Sequence, residues 1–124
     1  MINSKRKGAN GELEFAKLCS EYGLESRRTA QYCGNTGDAA DIVGLPGIHV
    51  EVKRVEALNI NKAMEQSERD ACQKGDNKIP IVAHRKNRAD WLITMKASDW
   101  LSMFAKIKSV SDATKVCEEK VEKE

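Results

Sequence analysis

Aromatic side chains are scarce in this chain, with two Trp, two Tyr and two Phe among 124 residues. Trp91 and Trp100 occupy patterns that read as core or subunit-interface positions. A platform that stacks successive unpaired bases needs a row of exposed rings, and no such row is evident. Histidine is rarer still, represented only by His49 and His84. The four cysteines, Cys19, Cys33, Cys72 and Cys117, form no C-x-x-C pair, so no zinc-binding set assembles from them. No apolar run approaches the roughly 18 to 20 residues of a membrane span. The opening "MINSKRKGANGE" is basic but leads into no apolar stretch, unlike a secretory signal. These absences predict a cytoplasmic chain with free thiols.

What is abundant is charge, at 32% of residues with a net of +2. Residues 112–124 carry five acids and three bases, which leaves about +4 on the preceding 111. The bases fall in clusters: Lys5, Arg6 and Lys7, then Arg27 and Arg28, then Arg85, Lys86 and Arg88. Clustering of this kind is the electrostatic footprint of a protein that approaches a phosphate backbone, although a mixed solvated surface can produce it too.

The length predicts one domain with one core, here residues 1–109, followed by a charged tail over residues 110–124. From Lys5 to Gly23 the spacing of Phe15, Ala16, Cys19 and Tyr22 predicts a helix. "ESRRTAQY" reads as a short polar strand and "CGNTGDA" as a loop. "ADIVGL" and "IHVEVKRV" are β-branched runs joined by Pro46-Gly47, which predicts an antiparallel hairpin. A second helix, capped by Asn59 or Asn61, runs to Lys74, with Ala63, Met64, Ser67 and Ala71 at positions suited to close packing on a sheet. "IPIVAHR" and "DWLITMK" are two more strands. A third helix starts at Ser98 or Asp99 and bears the stripe Trp100, Met103, Phe104 and Ile107. It reads as a cover for the core, with a subunit interface as the alternative, and beyond Ser109 as a frayed, solvated end. The order α-β-β-β-α-β-β-α predicts one mixed five-stranded sheet flanked by helices.

Within the hairpin, opposed positions have a constant sum near 92 or 93, which sets Asp41 across from Glu51 to within one residue. Opposed side chains lie about 5 Å apart, so two carboxylates become neighbours. Val50 and Val52 point to the core, and Glu51 and Lys53 to the other face. Like charges so placed repel unless a cation lies between them. A divalent metal meets that need, and magnesium takes one or two protein carboxylates. The alternative is a salt-bridge ladder on a solvated face. Glu12 bears on this choice, because it lies three, four and seven residues before Phe15, Ala16 and Cys19 and so continues the apolar face of the first helix. An acid there is costly unless paired or metal-bound, or unless it sits at an edge that reaches water.

Together, "KGANGE" ending in Glu12, "DIVGL" with Asp41, "EVK" from Glu51 to Lys53, and a following helix bearing Gln66 resemble the archaeal-type Holliday junction resolvases and their phage relatives, within the PD-(D/E)XK nuclease superfamily. The resemblance covers roughly residues 5 to 95. It implies a restriction-endonuclease-like fold and a bacterial or phage-encoded enzyme. Asp41 and Glu51 would bind Mg²⁺, with Mn²⁺ as a substitute, and Glu12 would join the same site. Lys53 would be the catalytic lysine, and Gln66 would help to orient the water or the metal shell. Ala40 stands where the family's proline would precede the first acid, and Asp38 is a nearby loop acid.

The resemblance also implies a homodimer. The clustered bases Lys5, Arg6, Lys7, Arg27, Arg28, Arg85, Lys86 and Arg88 are the candidate phosphate contacts, which position without reading sequence, and the lack of stacking rings favours branched or duplex DNA over single strands. His49, although on the Glu51 face, reads as a surface neighbour. Two other readings stay open: another nuclease of the superfamily, of flap, VRR-type or restriction-like kind, and a non-catalytic DNA-binding domain.

Overall fold

The computed structural model describes residues 4–29, 41–73 and 77–122, with side chains at the outer helix ends described from Ala9 and as far as Thr114. Eight elements follow in order: α1 (Ser4–Glu21), β1 (Arg27–Arg28), β2 (Ile42–Val43), β3 (Ile48–Arg54), α2 (Ile60–Gln73), β4 (Ile79–Arg85), β5 (Leu92–Met95) and α3 (Ala97–Glu122). The five strands form one sheet in the order β1-β2-β3-β4-β5. Only the β3–β4 pair is parallel, because α2 carries the chain back across the sheet between them. This is the mixed α-β-β-β-α-β-β-α architecture that the sequence predicts.

Local chemistry sets the helix ends. Gly23 closes α1 at φ 77°, where the Leu24 amide donates to the Cys19 carbonyl and the Gly23 amide to that of Ser20, a Schellman-type stop. Of the two candidate caps for α2, Asn59 fills the position: its Oδ1 accepts from the Lys62 amide at 3.1 Å and its carbonyl from Ala63, which satisfies donors that the first turn leaves open. α3 begins slightly earlier than Ser98 or Asp99, since the amides of Asp99 and Trp100 donate to the Lys96 carbonyl. Asp99 lies in its first turn, where a negative charge suits the helix dipole.

Each face of the sheet has its own cover. Phe15, Ala16 and Cys19 of α1 pack on Ile42, Val50, Val52, Ile81 and Ala83. A Cβ at Gly11 would meet the Arg54 Cβ at 3.0 Å, so glycine lets α1 lie close to β3 and brings its neighbour Glu12 against the sheet. On the opposite face α2 buries Ala63, Ser67 and Ala71, and the Ser67 hydroxyl donates to the Ile81 carbonyl at 2.9 Å.

Two expectations are corrected here. The Glu51 face is not solvated, because α2 covers it and Glu51 is only 2% exposed. α3 does not cover the core either, since every residue from Trp100 to Thr114 is exposed. The buried core is formed by α1, α2 and the sheet without it. The helix also continues past Ser109 to Glu122. The "CGNTGDA" loop with Cys33 and Asp38, and Ala40 after it, lie outside the described residues.

Candidate active site

The hairpin register brings the two predicted acids together. Ile42 pairs with Val50 and the Asp41 amide donates to the Val50 carbonyl at 2.9 Å, which sets Asp41 opposite Glu51. Both are buried, at 8% and 2% exposure. One carboxylate oxygen of Asp41, Oδ2, accepts from the Val52 amide at 2.8 Å. Even so, burial and the adjacent Glu51 push the Asp41 carboxyl up to about 7, against the opposing pull of the Val52 amide and the Lys53 ammonium. Asp41 and Glu51 are thus two adjacent carboxylates withdrawn from water, an arrangement that resists both being charged.

Glu12 reaches the same region from α1. It is 6% exposed, and burial together with Asp41's charge raises its carboxyl above the usual range, while Arg28 and Lys53 pull it down. Its carboxylate accepts a hydrogen bond from the Nε of Arg28 on β1. Arg28 therefore contacts a predicted site acid as well as belonging to the predicted phosphate-binding set. Lys53, half-buried on β3, lies close enough for its charge to act on both Asp41 and Glu12.

Two further residues join this group, one that the sequence pattern places at the surface and one that it does not single out. His49 is 4% exposed, not a surface neighbour, because α2 closes the face it shares with Glu51. Its Nε2 lies 3.3 Å from the Glu51 carboxylate. Asp70 of α2 completes a cluster in which ligand atoms of His49, Glu51 and Asp70 all lie within 4.8 Å of one another. The signal that could find Asp70 is the one that singles out Glu12: it falls seven residues after Ala63 and three after Ser67, on the stripe that faces the sheet. Gln66, half-buried, lies one turn before Asp70 on that stripe.

The predicted phosphate contacts divide. Arg27, Lys86 and Arg88 are exposed. Arg85 is half-buried and donates to Glu14, which also pairs with Arg54 at 3.4 Å and accepts from the Trp91 indole at 3.1 Å. The side chains of Lys5, Arg6 and Lys7 lie outside the described residues.

A protein-family model described as "Phage putative PDDEXK endonuclease" matches residues 3–124. The chain belongs to that family. No curated protein and no solved structure matches it. PDDEXK endonucleases act on DNA and use a divalent metal, and this chain presents ligand atoms of His49, Glu51 and Asp70 close enough to hold one, next to the Asp41 carboxyl. Among the described residues no helix is long and apolar enough to cross a membrane. Since Asp70 and His49 flank Glu51, Asp70→Asn is expected to weaken Mn²⁺ binding by about tenfold, the scale set by groups that support a metal ligand. Calorimetric titration of the variant checks this, and unchanged affinity would remove Asp70 from the metal's surroundings.

Proposed function

We propose that this PDDEXK endonuclease is a metal-dependent, structure-selective endodeoxyribonuclease that resolves four-way (Holliday) junctions as a homodimer. The observation that carries the nuclease chemistry is the buried, opposed Asp41–Glu51 pair with Lys53 on the same strand. Asp41 and Glu51 would hold Mg²⁺ or Mn²⁺, and Glu12 would join them when Arg28 turns from it toward a phosphate. The cation supplies an acidified water and neutralises charge on the scissile phosphate.

The chain's own residues do the rest. The Asp41 and Glu51 carboxylates fix the reaction's position on a rigid hairpin, whose register the core side chains Ile42 and Val50 hold. The Lys53 ammonium stands beside them, placed to hold the attacking water and to stabilise charge as it develops on the phosphate oxygens. Gln66 orients the water shell from α2. Arg27, Arg28, Arg85, Lys86 and Arg88, with Lys5, Arg6 and Lys7, contact the backbone of the DNA.

Junction specificity rests on the sequence resemblance and on the absence, among the described residues around the acids, of a row of exposed rings that would stack single strands. A cleavage panel of four-way, flap and linear duplex substrates with Mg²⁺ tests it. Symmetric paired nicks in the junction with linear duplex spared are the expected outcome; equal cutting of linear duplex would replace this reading with a restriction-like one. In the same system, Lys86→Ala and Arg88→Ala should each weaken DNA binding several-fold. Either substitution, by removing one cation from the phosphates, should also flatten the slope of log affinity against log salt by about 0.9. Anisotropy titrations at several salt concentrations measure both effects, and an unchanged slope would take the β4–β5 turn out of the interface.

A further inference from the structure

The least explained element of the molecule is α3. Its described side chains from Trp100 to Thr114 are all exposed. They include Trp100, Leu101, Met103, Phe104, Ile107 and Val110, each 36% to 68% exposed. Trp100 and Phe104, one turn apart, stack with ring centroids 5.3 Å apart and planes 8° from parallel. A helix bare on all sides gains nothing from packing, and isolated helices of this kind are marginal in water. Nor does it lie on its own sheet, whose faces over β3 and β4 are taken by α1 and α2.

The spacing of the apolar positions indicates what covers it. Trp100, Met103, Ile107, Val110 and Thr114 are separated by three, four, three and four residues, and the sequence continues the same alternation through Cys117 and Val121. Spacings of three and four keep these positions on one face of the helix, the pattern of a two-helix seam. Polar residues, among them Ser102, Lys106, Lys108, Ser109 and Asp112, occupy other positions. A seam of this spacing matches a second helix of the same spacing, and a second copy of the chain supplies one. The area is of the right order: the four seam side chains Trp100, Met103, Ile107 and Val110 leave roughly 450 Å² in water per copy, more than half of the roughly 800 Å² that each partner contributes to a stable interface.

We propose that α3 is the dimerisation element, pairing with α3 of a second copy through the Trp100–Met103–Ile107–Val110 seam. This deepens, and rests on, the homodimer part of the function proposed above. The two catalytic domains then hang from one paired-helix stem, and their sheets and acid sites do not take part in the contact.

Light scattering on the full chain across a concentration series tests this. The parent is expected at twice 13.8 kDa, and Ile107→Leu should stay there. The double variant Trp100→Glu/Ile107→Glu is expected at the monomer mass, with reduced far-UV helix signal as the unpaired α3 frays and with an unchanged rise in melting temperature on adding Mn²⁺. On four-way junctions it should give single nicks where the parent gives paired ones. A parent that is monomeric throughout, or a double variant that remains dimeric, overturns the proposal. The catalytic reading fails separately: a dimer that α3 substitutions split but that cuts no DNA supports the interface and removes the nuclease mechanism. A monomeric parent that cuts DNA does the reverse.

Discussion

The Asp41→Asn variant is expected to melt higher than the parent at about pH 8 without metal, and to cleave no DNA with it. In the parent, burial and the Glu51 charge lift the Asp41 carboxyl from 3.8 to about 7. The folded protein therefore holds a proton there that the unfolded chain releases at much lower pH. Stability from this group is fully present below about pH 4, declines as pH rises, and is lost above about pH 7, because above that point folding must bury two neighbouring carboxylates. The gap corresponds to on the order of 4 kcal/mol for a group titrating alone.

Asparagine reproduces the protonated acid. Its side-chain oxygen can still accept from the Val52 amide, as Asp41 Oδ2 does at 2.8 Å, and its amide can donate to Glu51 as the protonated carboxyl does. A gain of ~2 kcal/mol at high pH would raise the melting temperature by roughly 8 °C for a domain of this size. The advantage should shrink toward pH 4. Addition of Mn²⁺ should raise the parent's melting temperature by mass action and leave that of the variant nearly unchanged. Thermal melts of both proteins at matched concentration, across pH and with or without metal, measure all three effects. A variant that melts lower than the parent at pH 8 would mean that Asp41 is not held in repulsion with Glu51.

How much of this site the sequence discloses depends on how far apart the interacting residues lie along the chain. The Asp41–Glu51 juxtaposition follows from a tight turn and the two-residue alternation of a hairpin, both local, and the observed Ile42–Val50 pairing gives the sum of 92 that local reading allows. Glu12 is legible as an acid on an apolar helical stripe. What local pattern does not carry is which face each helix covers. His49 and Glu51 become buried because α2 returns over their face on its way to a parallel β4, a pairing between segments about thirty residues apart. Asp70 belongs to the site for the same reason. The partners that Arg28 and Arg85 find in Glu12 and Glu14 likewise depend on how α1 seats on the sheet. In α3 the stripe Trp100, Met103, Phe104 and Ile107 fits a helix facing its own core equally well, and nothing local signals that these residues stay exposed.

Lys53→Ala separates chemistry from binding. The lysine follows Glu51 by two positions and so projects from the same side of β3. Its charge acts on Asp41 and on Glu12 alike. If its task is to stabilise charge that develops only as the phosphodiester breaks, its removal should lower the cleavage rate by about 10³-fold while substrate affinity changes little. A loss of about that size follows when one preorganised donor is removed from a developing oxyanion. Because Lys53 is not a ligand, the variant should keep the metal-dependent rise in melting temperature that Asp41→Asn loses. Lys53→Arg keeps the charge but presents it as a planar fork on a longer reach, and should recover only a small part of the rate. Single-turnover cleavage of a four-way junction, read beside anisotropy binding and metal-dependent melting, distinguishes the roles. Cleavage at the parental rate in Lys53→Ala would remove the lysine from the mechanism, and loss of the metal response would make it a support for the acids, with no direct part in the chemistry.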